Sequence, residues 1–261
     1  MATDDTEHGR FLLFLDILGF RRMVETKRPY EVYQSVNQVL VHAYAEKLSP
    51  DYDTIHFSDT FVIYSKSPGY SPRLFYELLN LTCSNLAWSL AKGIPLRGAL
   101  TFGEFSVTPD WGGRFQVFFG KALHEAYDQE RKRKLITITL CANGFRPLTR
   151  EGFEPLRKRM EMGVVTRKGD DLVLLPIPNL PCAFIEMKEQ GLSKPEQFNK
   201  AVLNDLQAFR FLIENAKKYS EQPDSPEYAK YQGTVEFLRE ALSKECFEWA
   251  EAMSRKAGTG G

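Results

Sequence analysis

The chain has 261 residues, 43% of them hydrophobic, enough for one large domain with its own core and too many for an intrinsically disordered chain. Lys plus Arg and Asp plus Glu both number 34, so the net charge is zero and no global field favours wrapping nucleic acid or coating an anionic membrane. The four cysteines (Cys83, Cys141, Cys182, Cys246) lack metal-ligand spacing and read as reduced thiols; no signal-peptide pattern opens the chain and no run approaches the roughly 18 apolar residues of a membrane span, so a cytoplasmic location is expected.

In chain order, residues 1–9 read as a flexible N-terminus, and residues 10–18 are too continuously apolar for anything but a central strand. A helix is expected over 29–48 through Tyr33, Val36, Leu40, Ala43 and Tyr44, and a β segment over 54–66 with Ser58-Asp59-Thr60 as a hairpin tip. Pro72 opens a second helix that Gly93 closes, and 95–104 is strand again. After the loop Asp110-Trp-Gly-Gly113 come a strand to Phe119, a helix over 121–132, a strand over 135–140 and a hairpin over 163–176 turning at Lys168-Gly169-Asp170. This mixed order predicts an α+β domain, helices layered on a mainly antiparallel sheet. Residues 191–256 form a helical extension, with one amphipathic helix through Phe198, Val202, Leu206, Phe209 and Ile213 and another through Val235, Leu238, Leu242, Cys246, Trp249 and Met253, broken at Gln222-Pro-Asp-Ser-Pro226. Its expected role is to cover a sheet face or extend a dimer contact. Residues 257–261 read as a flexible tail.

Two aspartates interrupt the apolar β runs: Asp16 in Arg10-Phe-Leu-Leu-Phe-Leu-Asp-Ile-Leu-Gly-Phe20 and Asp59 in Ile55-His-Phe-Ser-Asp-Thr-Phe-Val-Ile-Tyr64. A buried carboxylate is unfavourable unless paired or bound to a cation, and two that face each other repel unless a divalent metal lies between them. Gly19 and Phe20 let the chain turn sharply and aim N–H groups at an anion. Metal beside phosphate points to nucleotide chemistry. Each aspartate alone also fits a plainer role, Asp16 as a helix N-cap and Asp59 as a polar turn residue.

The segments from residue 10 to about 176 resemble the class III nucleotidyl cyclases. Phe14-Leu-Asp-Ile-Leu-Gly-Phe20 is similar to that family's Phe-x-Asp-Ile-x-Gly-Phe, Asp59 follows 43 residues after Asp16, and Arg97-Gly-Ala-Leu-Thr-Phe-Gly103 resembles the strand whose arginine reaches the triphosphate. The resemblance implies a ferredoxin-like cyclase fold in a catalytic domain over 10–190. It also implies that Asp16 and Asp59, with the Ile17 backbone, hold two Mg²⁺ or Mn²⁺ ions. The backbone of Ile17, Leu18, Gly19 and Phe20 would cradle the β- and γ-phosphates, with Thr60 beside them, and Arg97 would neutralise phosphate charge. It further implies a homodimer with composite sites, in which one ion activates the ribose 3′-hydroxyl and the other steadies the polyphosphate.

The departures from the family pattern bear on mechanism. The positions of the ribose-orienting asparagine and the transition-state arginine fall on His124 and Asp128, so another cation must substitute or the site is weak. Lys121, Lys168 and the run Arg131-Lys-Arg-Lys134 are the candidates, and His124 is a possible ribose or leaving-group contact. The two base-reading positions fall on Ile55 and Val117, which cannot hydrogen-bond a purine edge. With Tyr52 and Phe57 near in sequence, the pocket suits a pyrimidine, as in the pyrimidine cyclases of bacterial anti-phage signalling, which make cyclic UMP or cyclic CMP for a separate effector. The expected substrate is UTP, or CTP. The same departures leave a degenerate module that binds nucleotide or a partner without turnover as a competing reading, and the paired aspartates, shared with the polymerase palm, leave a palm-like dinucleotide synthase as a third.

Overall fold

The computed structural model describes residues 8–45, 50–109 and 116–257. The expected loop at 110–113 lies outside them, as do most of the two expected flexible ends. Gly9 is packed rather than free, its carbonyl accepting from the Gly69 amide at 2.8 Å.

The centre is β1 (Arg10–Ile17). It lies between β3 (Thr60–Ser65) and β4 (Leu96–Gly103) in a seven-stranded sheet completed by β2 (Tyr52–Phe57), β7 (Ile138–Leu140), β8 (Val165–Lys168) and β9 (Asp171–Leu174). The spatial order is β2-β3-β1-β4-β7-β9-β8, and every pairing is antiparallel except β4 with β7. A separate ribbon pairs β5 (Ser106–Pro109) with β6 (Gln116–Phe119). The apolar residues of β1 divide by the period of two: Phe11, Leu13, Leu15 and Ile17 enter one core, Leu12 and Phe14 another. Fully burying each such side chain contributes about 1.5–3 kcal/mol, which is why the run reads as continuously apolar.

The first core is covered by α2 (Pro29–Ala45) and α3 (Pro72–Ala91), reached after the short α1 (Phe20–Thr26). Pro72 opens α3 as expected, with Ser71 as its N-cap. On the other face lies α4 (Lys121–Lys132), whose buried positions Ala122, Ala126 and Glu130 are spaced by four. Two alanines let the helix axis approach the sheet closely, and the next turn then presents a carboxylate to it.

Two short helices, α5 (Ala142–Phe145) and α6 (Arg150–Glu161), precede the hairpin β8–β9, and α7 (Leu180–Gln190) follows it. The extension contains three helices where the apolar stripes predict two: α8 (Lys200–Tyr219), α9 (Pro226–Ala241) and α10 (Lys244–Ala257). The stripe from Val235 to Met253 is broken at Leu242-Ser243, where Leu242 is extended and the Ser243 hydroxyl accepts from the Cys246 amide at 3.2 Å. These helices share a core with Leu90, Ile136, Val173 and Leu175, so they are packed on the sheet domain and not appended to it.

Asp205 of α8 fixes this junction. Its carboxylate is fully buried and accepts from the Asn179 amide (2.6 Å), the Asn179 side chain (3.1 Å) and the Leu180 amide (3.2 Å), clamping the start of α7. Burial pushes its pKa up to about 7 against the pull of these donors. A folded-state pKa above the unfolded value near 3.8 contributes stability that is complete below about pH 4 and is lost as pH rises through about 7. Asp205→Asn, which turns an amide donor toward N–H groups, should therefore destabilise by roughly 1–3 kcal/mol at pH 5 and by less at pH 8. Urea unfolding at both pH values reads the difference, and an equal difference would remove Asp205 as its source.

Candidate active site at the end of β1

Asp16 is the penultimate residue of β1 and shares a face with Leu12 and Phe14, toward α4. Register places it opposite Thr60 of β3 on one side and Arg97 of β4 on the other. Asp59 occupies the two-residue Ser58–Asp59 turn between β2 and β3, and its carbonyl accepts from the Ile17 amide at 3.0 Å. The two acids are therefore neighbours across adjacent strands. Burial raises the Asp16 pKa most; Arg97 then holds it down and the charge of Asp59 pushes it up again.

Arg97 stands between carboxylates. Its Nε and one terminal nitrogen donate to Asp16 Oδ2, both at 3.1 Å, and Thr60 Oγ1 donates to Oδ1 at 3.5 Å. Nε also lies against Glu130 Oε1 of α4, an ion pair that lacks hydrogen-bond angles. Glu130 is buried, and its pKa is raised by that burial before Arg97 pulls it down. Lys230 of α9 completes the group: burial depresses its pKa first, Arg97 next, while Glu227, Asp16 and Glu130 oppose the shift. Neither Glu130 nor Lys230 stands out in the sequence. The signal for Glu130 was the Ala122, Ala126, Glu130 spacing; Lys230 carries none, because it sits beside the apolar stripe of a helix distant in sequence.

The other expected site residues divide. Ile17 and Leu18 are buried, and their amides are already bonded to the carbonyls of Asp59 and Pro95, so the expected four-residue phosphate cradle narrows to Gly19 and Phe20. Gly19 is left-handed (φ 79°), which its lack of a side chain permits, and Phe20 packs on the main core. Thr60 is buried against Asp16. Phe57 is exposed and stacks on Phe118, with 5.8 Å between ring centroids. It lines an aromatic groove of about 370 Å³ with Phe14, Phe119, Leu123, His124 and Tyr127. His124 is exposed and faces Asp128 at 3.6 Å, so the two departures from the family pattern pair with each other.

Three further expected site residues lie away from Asp16 in the single chain. Tyr52 is a core residue, its hydroxyl donating to the Leu74 carbonyl at 2.6 Å; it starts β2 while Phe57 ends it, and five strand steps put it roughly 16 Å from the Asp59 turn. Lys168 ends edge strand β8, four strands from β1 and hence roughly 19 Å away, with its ammonium 3.4 Å from Glu240. Lys121 is a surface residue paired with Glu104 at 3.3 Å. None of the three reaches Asp16 within one chain.

No group of three or more His, Cys, Asp or Glu able to hold a metal ion occurs among the described residues. The donors present still fit a hard divalent cation that draws the rest of its shell from substrate phosphate and water, since such ions favour carboxylate oxygens and often take only one or two from protein. The placing of Asp59 in the turn that bonds to the β1 end, beside Asp16, is the observation in favour; Arg97 on Asp16 Oδ2 must move for that oxygen to take part.

No protein-family model and no curated protein matches this sequence. Solved structures do. A monomeric structure of the guanylyl cyclase domain of the RhoGC fusion protein of the aquatic fungus Blastocladiella emersonii, a double mutant, superposes with a TM-score of 0.50 and 12% identity, over 65% of this chain and 95% of that one. The guanylate cyclase domain of RhGC from Catenaria anguillulae in complex with GTP gives 0.45 and 14% over 54% and 81%, and the guanylyl cyclase Cya2 gives 0.45 and 14% over 64% and 89%. The mainly antiparallel seven-stranded sheet with its helices is the class III nucleotidyl cyclase fold. At such identities the likeness is one of fold. No helix among the described residues is long and apolar enough to cross a membrane.

Proposed function

We propose that this chain is a metal-dependent nucleotide cyclase that converts a pyrimidine nucleoside triphosphate, UTP or CTP, to its 3′,5′-cyclic monophosphate and pyrophosphate. The observation that carries the reading is the pair of adjacent acids, Asp16 and Asp59, beside Arg97 at the end of the central strand of a cyclase fold. Asp16, Asp59 and the Ile17 carbonyl would hold Mg²⁺ or Mn²⁺, which supplies Lewis acidity for the 3′-hydroxyl and the polyphosphate. The ribose 3′-oxygen loses its proton to solvent and bonds to the α-phosphorus, while the bond from that phosphorus to the α,β-bridging oxygen breaks and its electron pair leaves on pyrophosphate. Glu130 keeps Arg97 paired when Asp16 turns from it, so the guanidinium stays poised at the phosphates without an uncompensated buried charge.

Pyrimidine preference is supported by side-chain chemistry. Ile55 is buried and apolar, Val117 is exposed and apolar, and the groove beside the Asp59 hairpin offers stacking surfaces. Phe57, Phe119 and Tyr127 are exposed and line that groove together, which supports a homodimer with each base pocket completed by the partner. The product would signal to a separate effector in anti-phage defence. A second reading, nucleotide binding without turnover, is favoured by the His124–Asp128 pair at the positions of the family's asparagine and arginine. Incubation with each of the four ribonucleoside triphosphates and Mn²⁺, with products identified by mass spectrometry, tests both. Cyclic UMP or cyclic CMP is expected; thermal stabilisation by nucleotide with no pyrophosphate released would select the second reading.

A further inference from the structure

The C-terminal helices contribute more than cover. Between α1, α8 and α9 lies a cavity of about 310 Å³ whose charged lining is Arg22, Lys27, Lys218, Lys230 and Glu227, four cations against one carboxylate. It opens directly beside Leu18 and Gly19, two and three residues past Asp16. The cations are arranged by aromatic rings: Tyr219 and Tyr231 stack with planes 8° apart, Arg22 donates to the Tyr219 hydroxyl at 2.7 Å, and Lys218 lies 5.5 Å from the Tyr219 ring centroid. Among the described residues neither Lys27, Lys218 nor Lys230 has a carboxylate within ion-pair distance, whereas Lys121, Lys168 and Lys188 each do. Of these cations Lys230 is half-buried and Arg22, Lys27 and Lys218 are exposed; with Glu227 as the one carboxylate in the lining, the concavity carries a net positive charge that suits an anion of high charge.

We propose that this cavity binds the β- and γ-phosphates of the substrate and then the departing pyrophosphate, with Lys230 as the contacting cation and Lys218 and Arg22 behind it. The inference rests on the cyclase reading for its substrate and deepens it: α9 becomes part of the active site. Lys230 is the residue that couples cavity to carboxylates, since it faces the cavity and also feels Arg97, Asp16 and Glu130. A cation there offsets the charge that develops on the leaving oxygen as the bond to the α-phosphorus breaks, the task left open where the family's arginine position carries Asp128.

The test uses the full chain and inorganic tripolyphosphate as probe, titrated calorimetrically in the presence of EDTA, alongside steady-state kinetics with UTP and CTP. Lys230→Ala should weaken tripolyphosphate at least tenfold, raise KM and lower kcat. Lys218→Ala should weaken the anion less, Lys230→Arg should restore most of the loss, and Lys188→Ala on the outer surface should change neither. Affinity within twofold of wild type in folded Lys230→Ala and Lys218→Ala overturns the proposal. The two readings fail separately. Turnover that is indifferent to Lys230 removes the anion site and leaves the cyclase; Lys230-dependent tripolyphosphate binding with no turnover of any nucleotide removes the cyclase and leaves the anion site.

Discussion

If the chain is the cyclase proposed above, Asp16→Asn and Asp59→Asn should each lower cyclic nucleotide formation by roughly 10²–10⁴-fold, equivalent to about 3–5 kcal/mol of transition-state stabilisation, while the protein remains folded. The fold survives because Asp16 is not a net source of stability and Asp59 is a turn residue whose backbone carbonyl, kept by the substitution, makes the bond to Ile17. Asp16 is half-buried with a pKa raised chiefly by that burial, and removing its charge relieves both the desolvation and the repulsion from Asp59. Arg97 is not orphaned by the change, since Glu130 still faces it. The loss is expected to be this large because an amide is a poor ligand for a hard divalent ion and carries no charge to hold one against the phosphates. Pyrophosphate release in Mn²⁺ and a melting curve for each variant read the two halves of the claim; full turnover by either variant would dismiss the paired acids as the reaction centre.

Gly98→Ala is expected to be, with Gly120→Ala, one of the two most damaging methyl additions among the described glycines. A Cβ at Gly98 would stand 1.9 Å from the Phe14 carbonyl oxygen and 2.9 Å from its carbon. Both belong to the backbone of β1, and Leu15 lies opposite Gly98 in the ladder, so there is no flexible side chain to move aside. Relief requires separating the two central strands beside the Asp16–Arg97 pair. Overpacking a core ordinarily costs about 1–3 kcal/mol, and a clash with sheet backbone should exceed that range, which for a chain of this size lowers Tm by upwards of roughly 6–12 °C. Gly144→Ala is the control, because its Cβ would meet nothing closer than 3.6 Å. Equal melting temperatures for the two variants would contradict the close approach of β1 and β4.

What the sequence made legible follows from local rules. The strand over 10–18 is written in an unbroken apolar run, the Ser58–Asp59 turn in the polar pair between two β segments, and the helix over 121–132 begins and ends where its pattern does. The first two, with the strand over 95–104, bring Asp16, Asp59 and Arg97 together, a juxtaposition that the apolar runs and the family resemblance had led one to expect. Tyr52 and Lys168 lie away from Asp16 because closeness along the chain is not closeness in a hairpin or across a sheet: five residues of strand carry Tyr52 away from the turn, and the strand order carries Lys168 to the edge. The split between α9 and α10 was hidden because the apolar spacing from Val235 to Met253 runs in phase across Leu242-Ser243. Lys230 was illegible for a different reason, being defined only by how a distant helix docks, a long-range packing event with no local signature.

One consequence follows from the guanidinium wedged among the acids of β1 and α4. It acts as a built-in counter-ion, neutralising in the resting protein the negative charge that a divalent ion would otherwise have to quench. Under the metal-dependent reading proposed above, these acids would hold together before any divalent ion arrives, and an ion at Asp16 would displace a positive charge rather than fill a repulsive gap.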